Sequence, residues 1–174
     1  MPNHLSLLGI VHTVISLLAL FAAAYTLYRD GKIIPKATWG KYYIWLTVIT
    51  CITGFPIMKT GQPTQAHALG VMVLILLPLG AYAKQARFFG KFAAYVQVFI
   101  LSFTVFLSCI PAVVETLTGL PISTPLASGP NDPLVQTSLG IVFVCFLAGV
   151  IYQCYKLKST SKNIQTPDSS IGLS

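Results

Sequence analysis

Few side chains in this sequence could do chemistry, and they are of two kinds. Three are histidines, His4, His12 and His67, in a chain of 174 residues that carries only four acids. His12 lies inside the apolar stretch "LGIVHTVISL", and His67 stands near the start of another, within "QPTQAHALGV". The second kind is a single carboxylate, Glu115, the one acid within an apolar run. An ionisable group in such a run is costly and functional by default. Imidazole is the commonest metal ligand among side chains. Two imidazoles on facing helices suit the axial positions of a haem iron. Histidine with carboxylate, here His12 and His67 joined by His4 and Glu115, suits another transition metal. The bland use of the same groups is hydrogen bonding between helices, with the glutamate as a cap.

The neighbours of the histidines sharpen these alternatives. Gly9, His12, Ser16, Ala19 and Ala23 follow steps of three and four, so they share one helical stripe. Small residues on a membrane stripe let helices pack closely, which turns His12 towards the bundle. Gly70 follows His67 by one helical turn and leaves space beside its imidazole, as a flat macrocycle requires.

The elements that must position these groups are helices in a membrane. Charged residues make up 9% of the chain, against about 25% in soluble domains. Mean hydropathy is +0.75. Five apolar runs, about 5–28, 42–58, 66–83, 93–117 and 134–155, approach or exceed the ~17–25 residues that cross a bilayer. Backbone groups in lipid must be satisfied internally, and no period-two alternation marks strands, so the runs are helices. The expectation is an all-α integral membrane bundle of five transmembrane helices, a single domain over 1–158. The polar stretch 159–174 reads as a disordered cytoplasmic tail. The first run has no basic residue before it and exceeds a signal-peptide core, so it reads as a retained helix.

The charge of +7 follows the same plan. Arg29, Lys32, Lys36 and Lys41 fall after run 1, Lys84, Arg87 and Lys91 after run 3, and Lys156, Lys158 and Lys162 after run 5. Of the basic residues only Lys59 falls on the other side. The positive-inside rule then sets the N-terminus out and the C-terminus in, in a multi-pass membrane protein. The basic excess is a topological signal with some attraction to anionic lipid, and it excludes nucleic acid as a partner. By that orientation His12 lies about 10 Å below the outer end of its helix and His67 at the outer end of the third, so both share the outer half.

The remaining features read as structure. Cys51, Cys109, Cys145 and Cys154 form no CxxC pair and read as packing residues. Tyr25, Tyr28, Trp39, Tyr42, Tyr43 and Trp45 read as an interfacial aromatic belt. Pro56, Pro78 and Pro111 interrupt helix hydrogen bonding in or near runs 2, 3 and 4. The link "LTGLPISTPLASGPNDP" is a connector, with a lid over the bundle as the alternative, and Asp132–Pro133 caps and starts the fifth helix. Phosphate loops, nucleophile elbows, metalloprotease and dinucleotide motifs do not occur.

The segments "HTVISLLALFAAAYTLYRDGKIIP", "GKYYIWLTVITCITGF" and "AHALG" resemble small bacterial polytopic inner-membrane proteins of uncharacterised function. More loosely, the bundle is similar to small membrane cytochromes b, which hold haem between histidines. That resemblance implies one haem b near the outer face, ligated by His12 and His67, with Gly9, Gly70 and Ser16 around it. It implies electron transfer, or redox or haem sensing, with a quinone or an outer-side redox protein as partner. Members with two haems need four ligand histidines, and three are present here. The alternatives from the residues are a non-catalytic structural or assembly subunit of a larger membrane complex, or a homo-oligomer, and a His/Glu metal-binding membrane protein.

Overall fold

The computed structural model describes residues 7–57, 64–121 and 123–165, with side chains described to 159. The described residues are all-helical: α1 (Leu7–Asp30), α2 (Thr38–Gly54), α3 (Gln65–Tyr82), α4 (Ala93–Gly119) and α5 (Pro133–Gln165), with a 3₁₀ segment Arg87–Phe92 leading into α4. α1, α3, α4 with its 3₁₀ segment, and α5 are long and apolar enough to cross a membrane. The fifth, α2, has 17 residues, the lower limit for a span. The chain is a membrane protein in which four helices, rather than the expected five, meet the length and composition of a span. Inside α5's most apolar stretch only 6% of residues are buried, so its surface is apolar nearly all round, as a lipid-facing helix requires.

Local sequence sets the helix ends. Asp132 Oδ1 accepts the Leu134 amide at 2.9 Å and Pro133 occupies the first helical position, as expected for the start of α5. α5 then runs past Ser159 to Gln165, into the stretch expected to be a disordered tail. The reason is local: "KLKSTSKNIQ" contains neither Gly nor Pro to stop a helix already begun. Residues 166–174 lie outside the described residues. α1 ends at Gly31, whose φ of +70° is the left-handed conformation that glycine adopts without strain. Pro56 lies just beyond α2 rather than within it, whereas Pro78 and Pro111 lie inside α3 and α4. Among the described residues of the link that follows α4, Ala127 donates to Leu117 O, Leu126 to Leu120 O, and Asp132 Oδ2 accepts from the Ser128 amide and hydroxyl, as a connector requires.

Packing pairs α1 with α2, α3 with α4 and α4 with α5; α2 also meets α3, and α1 meets α4. α1 and α3 do not pack against one another among the described residues. α4 is the central helix and carries the longest row of buried residues. Gly80 lets α3 approach it: a Cβ there would stand 2.9 Å from Ile100 Cγ2 and 3.0 Å from Leu101. Gln97 reaches back from α4 to the Gly80 and Ala81 carbonyls (3.1 and 3.2 Å), which the end of α3 leaves short of partners. Phe99, Phe103, Phe106, Phe143 and Phe146 fill the α4–α5 seam, with ring centroids 5.2–6.3 Å apart. Beside them Ser102 Oγ donates to Gln153 Oε1 at 2.8 Å.

The aromatic cluster divides in two. Tyr25, Trp39 and Tyr42 pack edge to edge at one end, and Tyr28 and Trp45 are exposed. Tyr43, expected in the same belt, is instead fully buried in the core and shares a 2.8 Å hydrogen bond with Thr104 of α4. The helical period explains this: Gly40, Tyr43 and Thr47 form the inward face of α2, one residue round from Tyr42.

Candidate functional site

The two histidines do come to the same end of the bundle, and the last turn of α2 is what joins them. α1 brings His12 there on its small-residue stripe: Ala19 and Ala23 are buried, and Gly9, His12 and Ser16 are half-buried. The ring of His12 lies over Gly54, where a Cβ would stand 3.1 Å from its Cε1. Its Nδ1 lies 3.2 Å from Thr53 Oγ1. The Thr53 hydroxyl proton is engaged with the Ile49 and Thr50 carbonyls (2.9 and 3.1 Å), so Thr53 accepts and His12 Nδ1 donates. A neutral His12 then keeps its lone pair on Nε2.

His67 stands at the third position of α3 and closes a capping box with Thr64. Its Nδ1 accepts the Thr64 amide at 3.0 Å and lies 2.9 Å from Thr64 Oγ1. Its Nε2 lies 3.1 Å from the Phe55 carbonyl oxygen, which can only accept. The tautomer follows: Nε2 carries the proton and Nδ1 the lone pair. Both ring nitrogens are therefore engaged, one by the start of α3 and the other by the end of α2. The Phe55 and His67 rings also meet, at 6.2 Å.

This arrangement does not fit a bis-histidine haem. His12 has a lone pair to offer, but His67 would have to give up both the cap and the interhelical bond. Their helices are separated by α2 instead of facing one another. Gly70 does have open space beside it, with nothing within 4 Å of a Cβ position. Ser16, expected at the same site, donates to Thr13 O of its own helix at 2.8 Å. Glu115 is exposed on α4 and has no hydrogen bond or ion pair to either histidine among the described residues. His4 and Lys59 lie outside the described residues. Among those described, no three His, Cys, Asp or Glu side chains group as a metal site.

Sequence reasoning missed the partners: Thr53, Gly54, Phe55 and Thr64. One signal was there to find. "TQAH" has the Thr-x-x-acceptor spacing of a capping box, with histidine where glutamate or glutamine is usual. One further polar atom is buried without a partner among the described residues, Thr50 Oγ1, one turn before Thr53 on α2. No protein-family model matches the chain, and no curated protein or solved structure is significantly similar to it.

Proposed function

We propose that the chain is a multi-pass protein of a bacterial inner membrane, with five spans, and that it serves as a non-catalytic structural or assembly subunit of a larger membrane complex. The observation that carries this reading is that most polar groups of the bundle, Thr50 Oγ1 and His12 Nε2 aside, are closed on one another among the described residues. His12 is matched with Thr53, His67 with Thr64 and Phe55, Tyr43 with Thr104, and Ser102 with Gln153. Each bond joins two helices or two adjoining segments, and none is left pointing at a substrate. Large apolar side chains cover the outward faces of α1 and α5, among them Leu17, Phe21, Ile141 and Val144. Such faces suit contact with lipid or with other membrane helices.

The five-span count rests on α2 being taken as the shortest of the spans, and the orientation, N-terminus out and C-terminus in, on the one-sided basic residues. Reporter fusions at Lys36 and Ser128 should report opposite compartments, and equal signals would overturn the topology. For function, solubilised native membranes should show the chain in an assembly of defined size and fixed stoichiometry, with no visible absorption that follows the chain. A protein purified alone with a Soret band, lost in both His12→Ala and His67→Ala, would overturn the subunit reading in favour of haem.

A further inference from the structure

Two links stand at the end of the bundle opposite the histidines, and both are basic. The α1–α2 link carries Lys32 and Lys36, and the α3–α4 link, "KQARFFGKF", carries Lys84, Arg87 and Lys91. They treat their apolar side chains differently. In the first, Ile33 is buried in the core. In the second, Phe88 is 92% exposed and Phe92 60% exposed. Gly90 stands between these two rings at φ +45° and ψ −128°, a conformation that glycine adopts without strain. A Cβ there would meet nothing within 4 Å, so the glycine serves the turn and not a close approach. It parts Arg87, Phe88 and Phe89 from the start of α4.

The cations of this segment are presented beside its rings. Arg87 and Lys91 are both exposed, and Lys91 Nζ lies 5.5 Å from the Phe92 ring centroid. No acid occurs in the sequence between Asp30 and Glu115, and among the described residues neither Arg87 nor Lys91 has an ion pair within the chain. The length of α4 sets the depth of the segment. Its 27 residues make a helix about 40 Å long, which exceeds the ~30 Å of hydrocarbon without the 3₁₀ segment. Residues 87–92 then fall at the level of the lipid headgroups. There an aromatic ring can enter the acyl boundary while a neighbouring cation stays among the phosphates.

We infer that the 3₁₀ segment Arg87–Phe92 docks on the surface of an anionic phospholipid bilayer, with Phe88 and Phe92 entering the acyl boundary and Arg87 and Lys91 paired with lipid phosphates. The rings alone would suit any bilayer. The cations select an anionic one, because each gains an attraction that a zwitterionic surface does not offer. Arginine also matches a phosphate with two parallel hydrogen bonds. The inference rests on α3 and α4 crossing the bilayer and does not depend on the subunit reading.

The test uses the full chain, in phosphatidylglycerol vesicles for fluorescence and in detergent micelles for native mass spectrometry. Phe88→Trp is compared with the wild-type chain, so that the difference separates position 88 from Trp39 and Trp45. The added tryptophan should be quenched by brominated acyl chains and shielded from aqueous acrylamide. In the mass spectra phosphatidylglycerol should be retained over phosphatidylcholine. The double variant Arg87→Gln, Lys91→Gln should lose that preference, by roughly fivefold for each charge removed. The double variant Lys36→Gln, Lys158→Gln removes as much charge at the same end and should keep it. A tryptophan at position 88 that is open to acrylamide and beyond the reach of the bromines overturns the proposal and points to water or a soluble partner. Equal retention of the two lipids overturns it as well, as does equal loss in the two double variants. Should the first double variant fail to fold, Arg87→Gln alone must lose part of the preference, and wild-type retention by that single variant overturns the proposal.

Discussion

The two ends of the bundle handle polar groups in opposite ways. At the histidine end most polar groups meet partners within the chain: His12 with Thr53, His67 with Thr64 and Phe55, Asp132 with Ser128 and Leu134, with Thr50 Oγ1 the exception among the described residues. At the other end Lys32 and Lys156 line one recess with Asp30, whose oxygens Arg29 holds, and burial and the neighbouring lysines disfavour the Lys32 ammonium. At the first end these bonds stabilise the fold. The second disfavours the charged form of Lys32. Rare ionisable groups in a membrane chain thus do not all mark chemistry.

The largest expected effect tests how rigid the lysine end is. Gly40 of α2 lies against the Ile34 backbone carbonyl so closely that a Cβ would collide with it. Gly40→Val should therefore displace the α1–α2 link and lower stability by about 3 kcal/mol, since backbone cannot give way as a flexible side chain can. Denaturation in mild detergent measures this, and a neutral result would mean the link is held loosely.

Next comes the histidine end. His67→Ala removes the acceptor for the Thr64 amide and the donor to Phe55 O, and should lower stability by about 1–2 kcal/mol. An unchanged midpoint would break the comparison, because His67 would then be idle in the fold and available for another role. Thr53→Val removes the acceptor of His12 and should lower stability by roughly 0.6 kcal/mol, the average for hydrogen bonds between membrane helices. A double-mutant cycle with His12→Phe isolates that pair, and a coupling near zero would mean that the 3.2 Å contact contributes nothing.

The smallest effects concern pH: at both ends stability rises with pH, because the fold favours the charged form of Asp132 and disfavours that of Lys32. Asp132 is held below the usual aspartate range by the Ser128 amide, the Leu134 amide and the Ser128 hydroxyl. Its contribution is full above the ordinary aspartate value and is lost as pH falls through its lowered folded value. Lys32 is lowered by burial and by the neighbouring lysines, so its charged form is disfavoured in the fold at neutral pH. Stability should rise as pH climbs from the lowered folded value of Lys32 to the ordinary lysine value, and Lys32→Gln should abolish that rise. If Lys32→Gln instead destabilises the protein at neutral pH, the lysine end is self-satisfied like the other.

Much of the fold was legible because a bilayer leaves the backbone few choices. Runs of apolar residues of membrane length had to be helices, and Asp132–Pro133 marked the start of α5 by capping chemistry alone. The stripe from Gly9 to Ala23 also turned inward as its spacing required. Less legible were the ends, where α2 began four residues before its apolar run and α5 continued beyond Ser159. Hydropathy marks where a helix can lie in lipid, whereas propensity and capping decide where it stops. The site was half legible. Depth followed from counting residues along helices, so His12 and His67 fell at one end, but counting does not tell which helix each side chain will touch.

The sequence by itself determined that this is a helical membrane chain with two of its histidines in apolar runs. Those properties depend on composition and on contacts three or four residues apart. Only the tertiary structure decided that α2 lies between the histidines, that Thr53 and Phe55 take up their ring nitrogens, that Tyr43 is core rather than belt, and that Lys32 and Lys156 line one recess. These depend on which helices pair, and pairing is set by close approach between residues far apart in the chain. Gly80 against Leu101 and Gly54 against His12 are such approaches. In each, the absence of a side chain does the positioning, and a glycine in a linear sequence does not reveal what will come to lie against it.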